Sequence, residues 1–287
     1  MMVCGETGTG KSTFVKMLCG ENCFGEDPLP EFKPGMDPQV SIRTFNALVM
    51  EEETPINLDV VMVPGFGDKV DNRRCSGIVL DYLNNQLNSV LNEECRIQRN
   101  SMVKDGRVHV LLYFIRPTGK GLRQLDINFM KLVGPRCNLI PVLSKADVMS
   151  SAELITNKKK VMADITANNI EIYDFGPWIE DANEGELPEF LKVLPFAVMS
   201  STEKREVDGK EQYVREYPWG TAIPEDVTHS DYLMLKILLL GTCLQDLKDT
   251  TVNVIYERFR TERLSSKVNI RSASSAKVMN ALIDRVT

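Results

Sequence analysis

The chain has 287 residues, 43% hydrophobic and 26% charged, a composition that suits one large α/β domain or one domain with an appendage. Its net charge of −6 at pH 7 does not indicate a basic surface for binding nucleic acid, and the run Lys158–Lys160 is interpreted as a solvated helix face. Seven cysteines without a C-x-x-C pair argue against a disulfide framework or a zinc site and favour a reducing compartment such as the cytosol.

A phosphate-binding pattern stands near the start of the chain. A short apolar run, Met2–Cys4, is followed by G-x-x-x-x-G-K-[ST] over Gly5–Ser12 and then by a helical run, Thr13–Leu18. In this pattern the backbone N–H groups and the lysine hold phosphates, and the serine hydroxyl binds Mg²⁺. A Gly/Thr-rich turn is the alternative, but the strand–loop–helix setting favours a nucleoside triphosphate site. The predicted nucleotide-binding residues here are Gly5, Gly8, Gly10, Lys11, Ser12 and Thr13, with Ser12 also a metal ligand.

The strands that follow predict a mostly parallel sheet. They are separated by helical patterns, and several read as unbroken apolar runs, which is typical of strands buried on both faces. In such sheets ligands bind beyond the carboxyl ends of the strands. Apolar windows over 108–115 and 233–244 are too short, or broken by Lys236, to span a bilayer. The predicted strands are Val40–Val49, Leu58–Val63, Val108–Ile115, Asn138–Leu143 and Val193–Met199, with a loop over 20–38.

Two further motifs follow predicted strands and indicate a GTPase. Pro64–Asp68 comes after the second of these strands, and Ser144–Asp147, which matches [NAST]-K-x-D, comes after the fourth. The carboxylate of Asp147 can accept hydrogen bonds from guanine N1–H and N2–H₂, whereas adenine has no such donor pair. An ordinary surface turn is the alternative for this motif. The ligand predicted from the motifs together is GTP or GDP.

With these segments in place, the chain resembles the septins, a family of filament-forming GTP-binding proteins. The resemblance implies a Ras-like P-loop GTPase domain of α/β class, with a mostly parallel sheet flanked by helices and a family-specific helical and β-meander element. We expect this domain over residues 1–264, the family-specific element over 203–264, and a polar tail over 265–287. The stretches that carry the resemblance beyond the GTPase motifs are Asp105–His109, Tyr113–Gly119, Leu125–Lys131, Arg215–Gly220, Leu244–Lys248 and Tyr256–Leu264.

The resemblance also implies partners and a location. Septins assemble with other septin subunits through alternating nucleotide-side (G) and terminal-helix (NC) interfaces, in the cytoplasm and the cytoskeleton. The expected function is therefore a filament subunit acting in cytokinesis or at the cell cortex. Only four residues precede Gly5, where septins normally carry a helix and a full first strand, so we expect either that the chain is truncated or that the NC interface lacks its N-terminal element and any membrane contact from it. No apolar heptad continues beyond Leu264. We expect the helix over Asp249–Leu264 to supply the NC interface.

Individual residues receive roles from the same resemblance. Lys145 and Asp147 would contact guanine, and Arg215 would lie over the base plane, where a guanidinium can stack. Gly65, Ser200 and Ser201 complete the predicted nucleotide site. Alternatives stay open, since Trp219 could be a core residue and Glu153 and His229 plain surface residues, while His109 is interpreted as a satisfied structural histidine. The predicted G-interface residues are Lys120, Glu153, Trp219 and His229.

Departures from the family pattern concern the metal. Met62 and Val63 stand where septins carry an Asp-Thr pair that holds the Mg²⁺ shell, and a thioether and an isopropyl group cannot bind a hard cation. Gln39 aligns with the switch threonine of hydrolysing members. Asp59 lies mid-strand and Asp68 follows the glycine turn, so neither is expected to substitute. Mg²⁺ binding should be weakened and hydrolysis slow or lost, while nucleotide binding persists.

Two other functions remain open from the residues. An active GTPase switch could recruit magnesium through Ser12 and a repositioned Asp68. A degenerate scaffold could hold no nucleotide at all. The partners and the filament position are not specified by the sequence.

Overall fold

The structure is a computed structural model that describes residues 1–20, 23–24, 40–51, 54–68, 72–96, 104–175, 194–207 and 209–265. Gln39, nearly all of the predicted loop over 20–38 and the tail after residue 265 lie outside the described residues. The predictions made for these residues stay predictions.

Six strands form the main sheet, in the order β2-β3-β1-β4-β5-β6. β2 is antiparallel to β3, and the other neighbours are parallel. The mostly parallel α/β sheet predicted from the sequence is confirmed. The strands are β1 Met2–Gly5, β2 Arg43–Glu51, β3 Thr54–Met62, β4 Val110–Ile115, β5 Asn138–Ser144 and β6 Phe196–Val198.

Helices cover both faces of this sheet. Two π-helical segments, Leu238–Thr242 and Thr251–Tyr256, interrupt the terminal helices, and helical structure continues over 257–265. This confirms the expectation of a helix over Asp249–Leu264. The α-helices are α1 Lys11–Cys19, α2 Arg73–Glu94, α3 Gln124–Val133, α4 Ser151–Ala167, α5 Tyr232–Ile237 and α6 Leu244–Thr250.

The core lies on both sides of the sheet. Along β1, Val3 packs into one buried cluster with Phe14, whereas Met2 and Cys4 pack into another with Val79. Successive strand side chains point to opposite faces, so a strand with a core on each face has no polar side. This accounts for the unbroken apolar runs, of which Val110–Ile115 is buried at every position.

The start of β3 differs from the sequence prediction. The apolar run predicted a strand from Leu58, but β3 begins at Thr54, because β2 and β3 form a long hairpin that pairs as far as Glu51 with Thr54. The first residues of β3 are exposed or half-buried, so their hydrogen bonds, rather than apolar burial, define the strand there.

A second, antiparallel sheet of three strands follows the main one. It consists of β7 Glu203–Val207, β8 Lys210–Tyr217 and β9 Gly220–Ala222, in that order. This is the predicted β-meander, and it brings Arg215 and Tyr217 toward the carboxyl edge of the main sheet. The division into a domain and a tail at residue 264 stays a prediction.

Candidate nucleotide site

The loop after β1 has the backbone of a phosphate cradle. Gly5 has φ of 142°, and a Cβ there would lie 2.4 Å from the carbonyl oxygen of Phe114. Any side chain would therefore push β1 away from β4. Gly10 caps α1 in the left-handed region with φ of 86°, so the loop turns directly into the helix. The N–H groups of a helix N-terminus then face the loop, and they attract anions.

Lys11 is buried inside this loop. It is 7% exposed, and its Nζ donates to the carbonyl oxygen of Glu6 at 2.6 Å. Burial lowers the pKa of Lys11 to about 8, against the opposing effects of Cys4, Asp68 and Glu6. Ser12 and Thr13 follow in the first turn of α1 and are half-buried. The loop thus presents one buried ammonium group whose pKa lies below the usual range of a lysine.

The turn after β3 folds back onto the loop. Gly65 has φ of 76°, and the carboxylate of Asp68 accepts from Thr7, from the backbone N–H at 3.3 Å and from the hydroxyl group. Asp68 lies past the glycine turn, as the sequence indicated. The turn reverses the chain and brings this carboxylate back to Thr7 in the phosphate-binding loop, and whether it can substitute as a metal ligand stays a prediction.

The end of β3 is apolar, as predicted. Met62 is 1% exposed and Val63 is fully buried, each in one of the two core clusters. Asp59 is engaged elsewhere, since its side chain accepts from Asn46 and Lys104 at 2.8 Å each. Neither the Met62 side chain nor the Val63 side chain offers an oxygen to a cation.

A fit for Mg²⁺ is therefore poor. Within the described ranges, no three His, Cys, Asp or Glu side chains are grouped so that they could hold a metal ion. Ser12 is the one oxygen ligand that the phosphate-loop motif itself supplies.

A charged network, which the sequence analysis missed, ties the loop to α3. The carboxylate of Glu6 pairs with Arg123 at 2.9 Å and with Arg116 at 3.2 Å. Arg123 also pairs with Asp126, which is 1% exposed and accepts from the Tyr113 hydroxyl at 2.7 Å. The hydrogen bond with Asp126 raises the pKa of Arg123. No local signal reveals this network, because Glu6 and Arg123 are 117 positions apart.

The base-recognition motif after β5 carries a buried carboxylate. Lys145 adopts the left-handed conformation with φ of 54°, and the Asp147 side chain behind it is 1% exposed. Its Oδ2 accepts from the Tyr217 hydroxyl and lies 3.2 Å from Arg215 Nη1. Its Oδ1 is buried and has no hydrogen-bond partner among the described residues.

An unpartnered buried acceptor costs about 1–3 kcal/mol, so this oxygen is suited to a ligand that donates to it. The expected position of Arg215 over the base plane stays a prediction. Its guanidinium lies beside Asp147 and 5.7 Å from the centre of the Tyr217 ring. Tyr217 is a site residue that the sequence analysis did not single out, although it lies inside the quoted stretch Arg215–Gly220.

The two predicted serines connect the ends of the site. A Cβ on Gly10 would lie 3.9 Å from the Ser200 hydroxyl oxygen, so the loop after β6 lies beside the phosphate cradle. Ser201 donates to the carbonyl oxygen of Val214 at 2.6 Å and accepts from the Glu203 N–H at 3.1 Å. Ser201 therefore joins the main sheet to β8, which carries Arg215.

The predicted interface residues lie at the surface. Trp219 is 81% exposed and stacks on Tyr217 at 5.0 Å, so the alternative that it is a core residue is wrong. Lys120 is exposed. Glu153 caps its own helix, accepting from the Ser150 hydroxyl at 2.8 Å, and His229 Nδ1 accepts from the Ile223 N–H at 3.2 Å. Their roles toward a partner stay predictions.

A cleft of about 580 Å³ lies at the opposite edge of the sheet. Asp59, Lys104 and His109 line it, and none of the predicted nucleotide residues does. His109 was interpreted as a satisfied histidine, but its buried Nδ1 has no partner among the described residues. We place the nucleotide site at the carboxyl edge because the glycine loop and Asp147 carry the chemistry there.

None of the described helices combines the length and the apolar character needed to cross a membrane.

Comparisons with known proteins agree with this geometry. The family model described as Septin matches residues 1–273. Septin homolog spn3 of Schizosaccharomyces pombe is 40% identical over 277 residues, covering 93% of this chain and 73% of that protein. Cell division control protein 11 of Saccharomyces cerevisiae is also 40% identical, over 93% of this chain and 66% of its own length.

A solved structure has the same fold. The crystal structure of the septin GTPase domain from Chlamydomonas reinhardtii aligns with a TM-score of 0.66 at 25% identity, and covers 91% of this chain and 96% of the solved one.

Proposed function

Because the chain belongs to the septin family, we propose that it is a guanine-nucleotide-binding subunit of a cytoskeletal septin filament, which acts in cell division and hydrolyses GTP slowly or not at all. Guanine nucleotide binding follows from the family and its GTPase domain. The level of hydrolysis, the interfaces and the location at a ring or cortex belong to the proposal.

The observation that carries the proposal is the carboxylate of Asp147. It is 1% exposed and has one oxygen without a partner among the described residues, at the edge of the sheet that also holds the glycine loop. Guanine presents two adjacent N–H donors that match a carboxylate, and adenine does not. The glycine loop would hold the phosphates through its N–H groups and Lys11.

Slow hydrolysis is supported by the end of β3. Phosphoryl transfer depends on a metal that neutralises developing charge. Met62 and Val63 occupy positions that face the core clusters and bring no oxygen. In this reading Ser12, Lys11 and the loop amides retain the nucleotide as a structural ligand, and the nucleotide supports the contact between subunits.

A second candidate function, the active GTPase switch, is favoured by Asp68. Its carboxylate accepts hydrogen bonds from Thr7 in the phosphate-binding loop, so an acidic group lies near the place where phosphates would bind. In this alternative Asp68 would give up its hydrogen bonds with Thr7 and join the coordination shell of a metal bound by Ser12. We rank it second because Asp68 already has two hydrogen bonds in place.

The filament part of the proposal draws on the surface. Trp219 is the most exposed of the large apolar side chains in the described residues, at 81%, and it lies beside the base site. A tryptophan with a free face is suited to anchoring a protein interface. Lys120, Glu153 and His229 would lie in the same contact with another septin subunit, and cortical association would follow from the filament.

Chromatography of the nucleotide released from purified protein tests the proposal. We expect about one GTP or GDP per chain. Protein that is folded by circular dichroism but contains no nucleotide, and that binds none when GDP is added, would support the nucleotide-free scaffold instead.

A further inference from the structure

We infer that Tyr217 is a specificity-determining residue of the base site: its hydroxyl competes with guanine for Oδ2 of Asp147, so that only a base with two donors displaces it. The inference deepens the proposed function and rests on it. It assigns to Tyr217 a role that is separate from those of Arg215 and Trp219.

The contact itself is specific. The Tyr217 hydroxyl donates to Oδ2 of Asp147, while Oδ1 of the same carboxylate has no partner among the described residues. The carboxylate is 1% exposed, so water does not readily replace a lost donor. Burial and the bond with Asp147 raise the pKa of Tyr217 to about 12, and the hydroxyl therefore stays a donor throughout the physiological pH range.

The number of donors on a base then decides whether Tyr217 is displaced. Guanine donates from N1–H and N2–H₂, and a bidentate contact uses both carboxylate oxygens. Oδ2 already accepts from the Tyr217 hydroxyl and faces the Arg215 guanidinium, so a third donor would have to replace one of them, and the uncharged tyrosine is the weaker of the two. Hypoxanthine, the base of inosine diphosphate, donates only from N1–H, and Oδ1 can accept that bond while Tyr217 stays in place. Adenine brings no donor to this edge.

The tyrosine ring connects this competition to the protein surface. It stacks on Trp219 at 5.0 Å with an interplanar angle of 9°, and Trp219 is 81% exposed. A guanine that displaces the Tyr217 hydroxyl from Asp147 would also shift the tyrosine ring, so the stacking on Trp219 would change. Binding of guanine should therefore change the environment of Trp219, whereas binding of hypoxanthine should change it less.

The test compares Tyr217→Phe with the natural chain by calorimetric titration of GDP and of inosine diphosphate, after bound nucleotide has been removed. Phenylalanine keeps the ring and removes the donor. We expect the Kd for GDP to fall about tenfold, the effect of one hydrogen bond to a charged group. The Kd for inosine diphosphate should change less than threefold or so. Tyr213→Phe, the same change four positions earlier on β8, is the matched control and should leave both values unchanged.

A second readout uses fluorescence. In a Trp178→Phe background, Trp219 is the single tryptophan, and its emission should change on GDP addition in the natural sequence and less in Tyr217→Phe. Weaker GDP binding by Tyr217→Phe, or equal changes for the two nucleotides, would overturn the inference. If no variant binds guanine nucleotide at all, the proposed function itself fails and the inference falls with it.

Discussion

At the phosphate end of the candidate site the groups available to a ligand are mainly backbone N–H groups, whereas at the base end they are side chains around the buried carboxylate of Asp147. The loop around Gly5 and Gly10 holds its shape through left-handed glycines and the packing of β1 on β4. Asp147 depends instead on Tyr217 and Arg215, which arrive from a different sheet. From this difference we expect phosphate binding to tolerate substitutions of neighbouring side chains, whereas base recognition should depend on a few particular side chains.

Binding and catalysis also require different groups at this site. A backbone cradle keeps its N–H groups whatever stands at Met62 and Val63. A catalytic site needs carboxylate or hydroxyl groups at those positions, because the transferred phosphoryl group requires a metal shell. Under the proposed function, a site without its metal ligands would still bind nucleotide.

The largest expected effect is at the base end. Asp147→Asn should raise the Kd for GDP about 100-fold, because two hydrogen bonds to a charged acceptor are worth roughly 3 kcal/mol together. Isothermal titration would measure it. Asp226→Asn, at a carboxylate that accepts from Thr228 in a surface turn, is the control. A change of fivefold or less would show that the base end does not depend on this side chain.

A somewhat smaller effect is expected at the exposed tryptophan. Trp219→Ala should weaken self-assembly or assembly with a septin partner about 30-fold, as for the loss of an interface anchor, and leave GDP affinity within a factor of roughly two. Arg215→Ala should weaken both, because its guanidinium is expected to stack on the guanine base. Sedimentation velocity measures assembly, with Leu48→Ala, at another exposed apolar residue, as the control. Unchanged sedimentation of both variants would contradict the assigned interface.

The smallest effect is at the phosphate end. Since the pKa of Lys11 is lowered to about 8, the ammonium loses its charge as the pH rises, and phosphates should bind less tightly. From pH 6.5 to 8.5 the Kd for GDP should rise about fourfold, in proportion to the loss of the charged form. Lys11→Arg, whose side chain stays charged, should give a flat profile. A Kd for GDP that falls as the pH rises over this range would contradict the prediction.

Much of this architecture could be read from the sequence, because its signals are local. The glycine pattern at Gly5–Ser12, the buried apolar strands and the Ser144–Asp147 motif each report on their own segment. Contacts between distant segments could not be read in this way. The return of Asp68 to Thr7 depends on a turn, and the hydrogen bond from Tyr217 to Asp147 joins β8 to the turn after β5, between residues that are 70 positions apart.

The unpartnered nitrogen of His109 shows a further limit. A histidine at the start of an apolar strand is usually satisfied by its surroundings, and the residues near it in sequence do not reveal which groups will face it. In the fold it borders a cleft with Asp59 and Lys104. Burial could be predicted from the pattern, but the set of neighbours could not.

Single-turnover hydrolysis of γ-labelled GTP by the purified protein with Mg²⁺ is the most direct test of a site that binds nucleotide without turning it over. Asp68→Asn should be measured alongside. We expect the label to stay on bound GTP for hours in both proteins, so that the natural chain releases phosphate no faster than Asp68→Asn does. Prompt phosphate release by the natural chain that Asp68→Asn abolishes would contradict the account, and would show that Asp68 supplies the metal ligand which Met62 lacks.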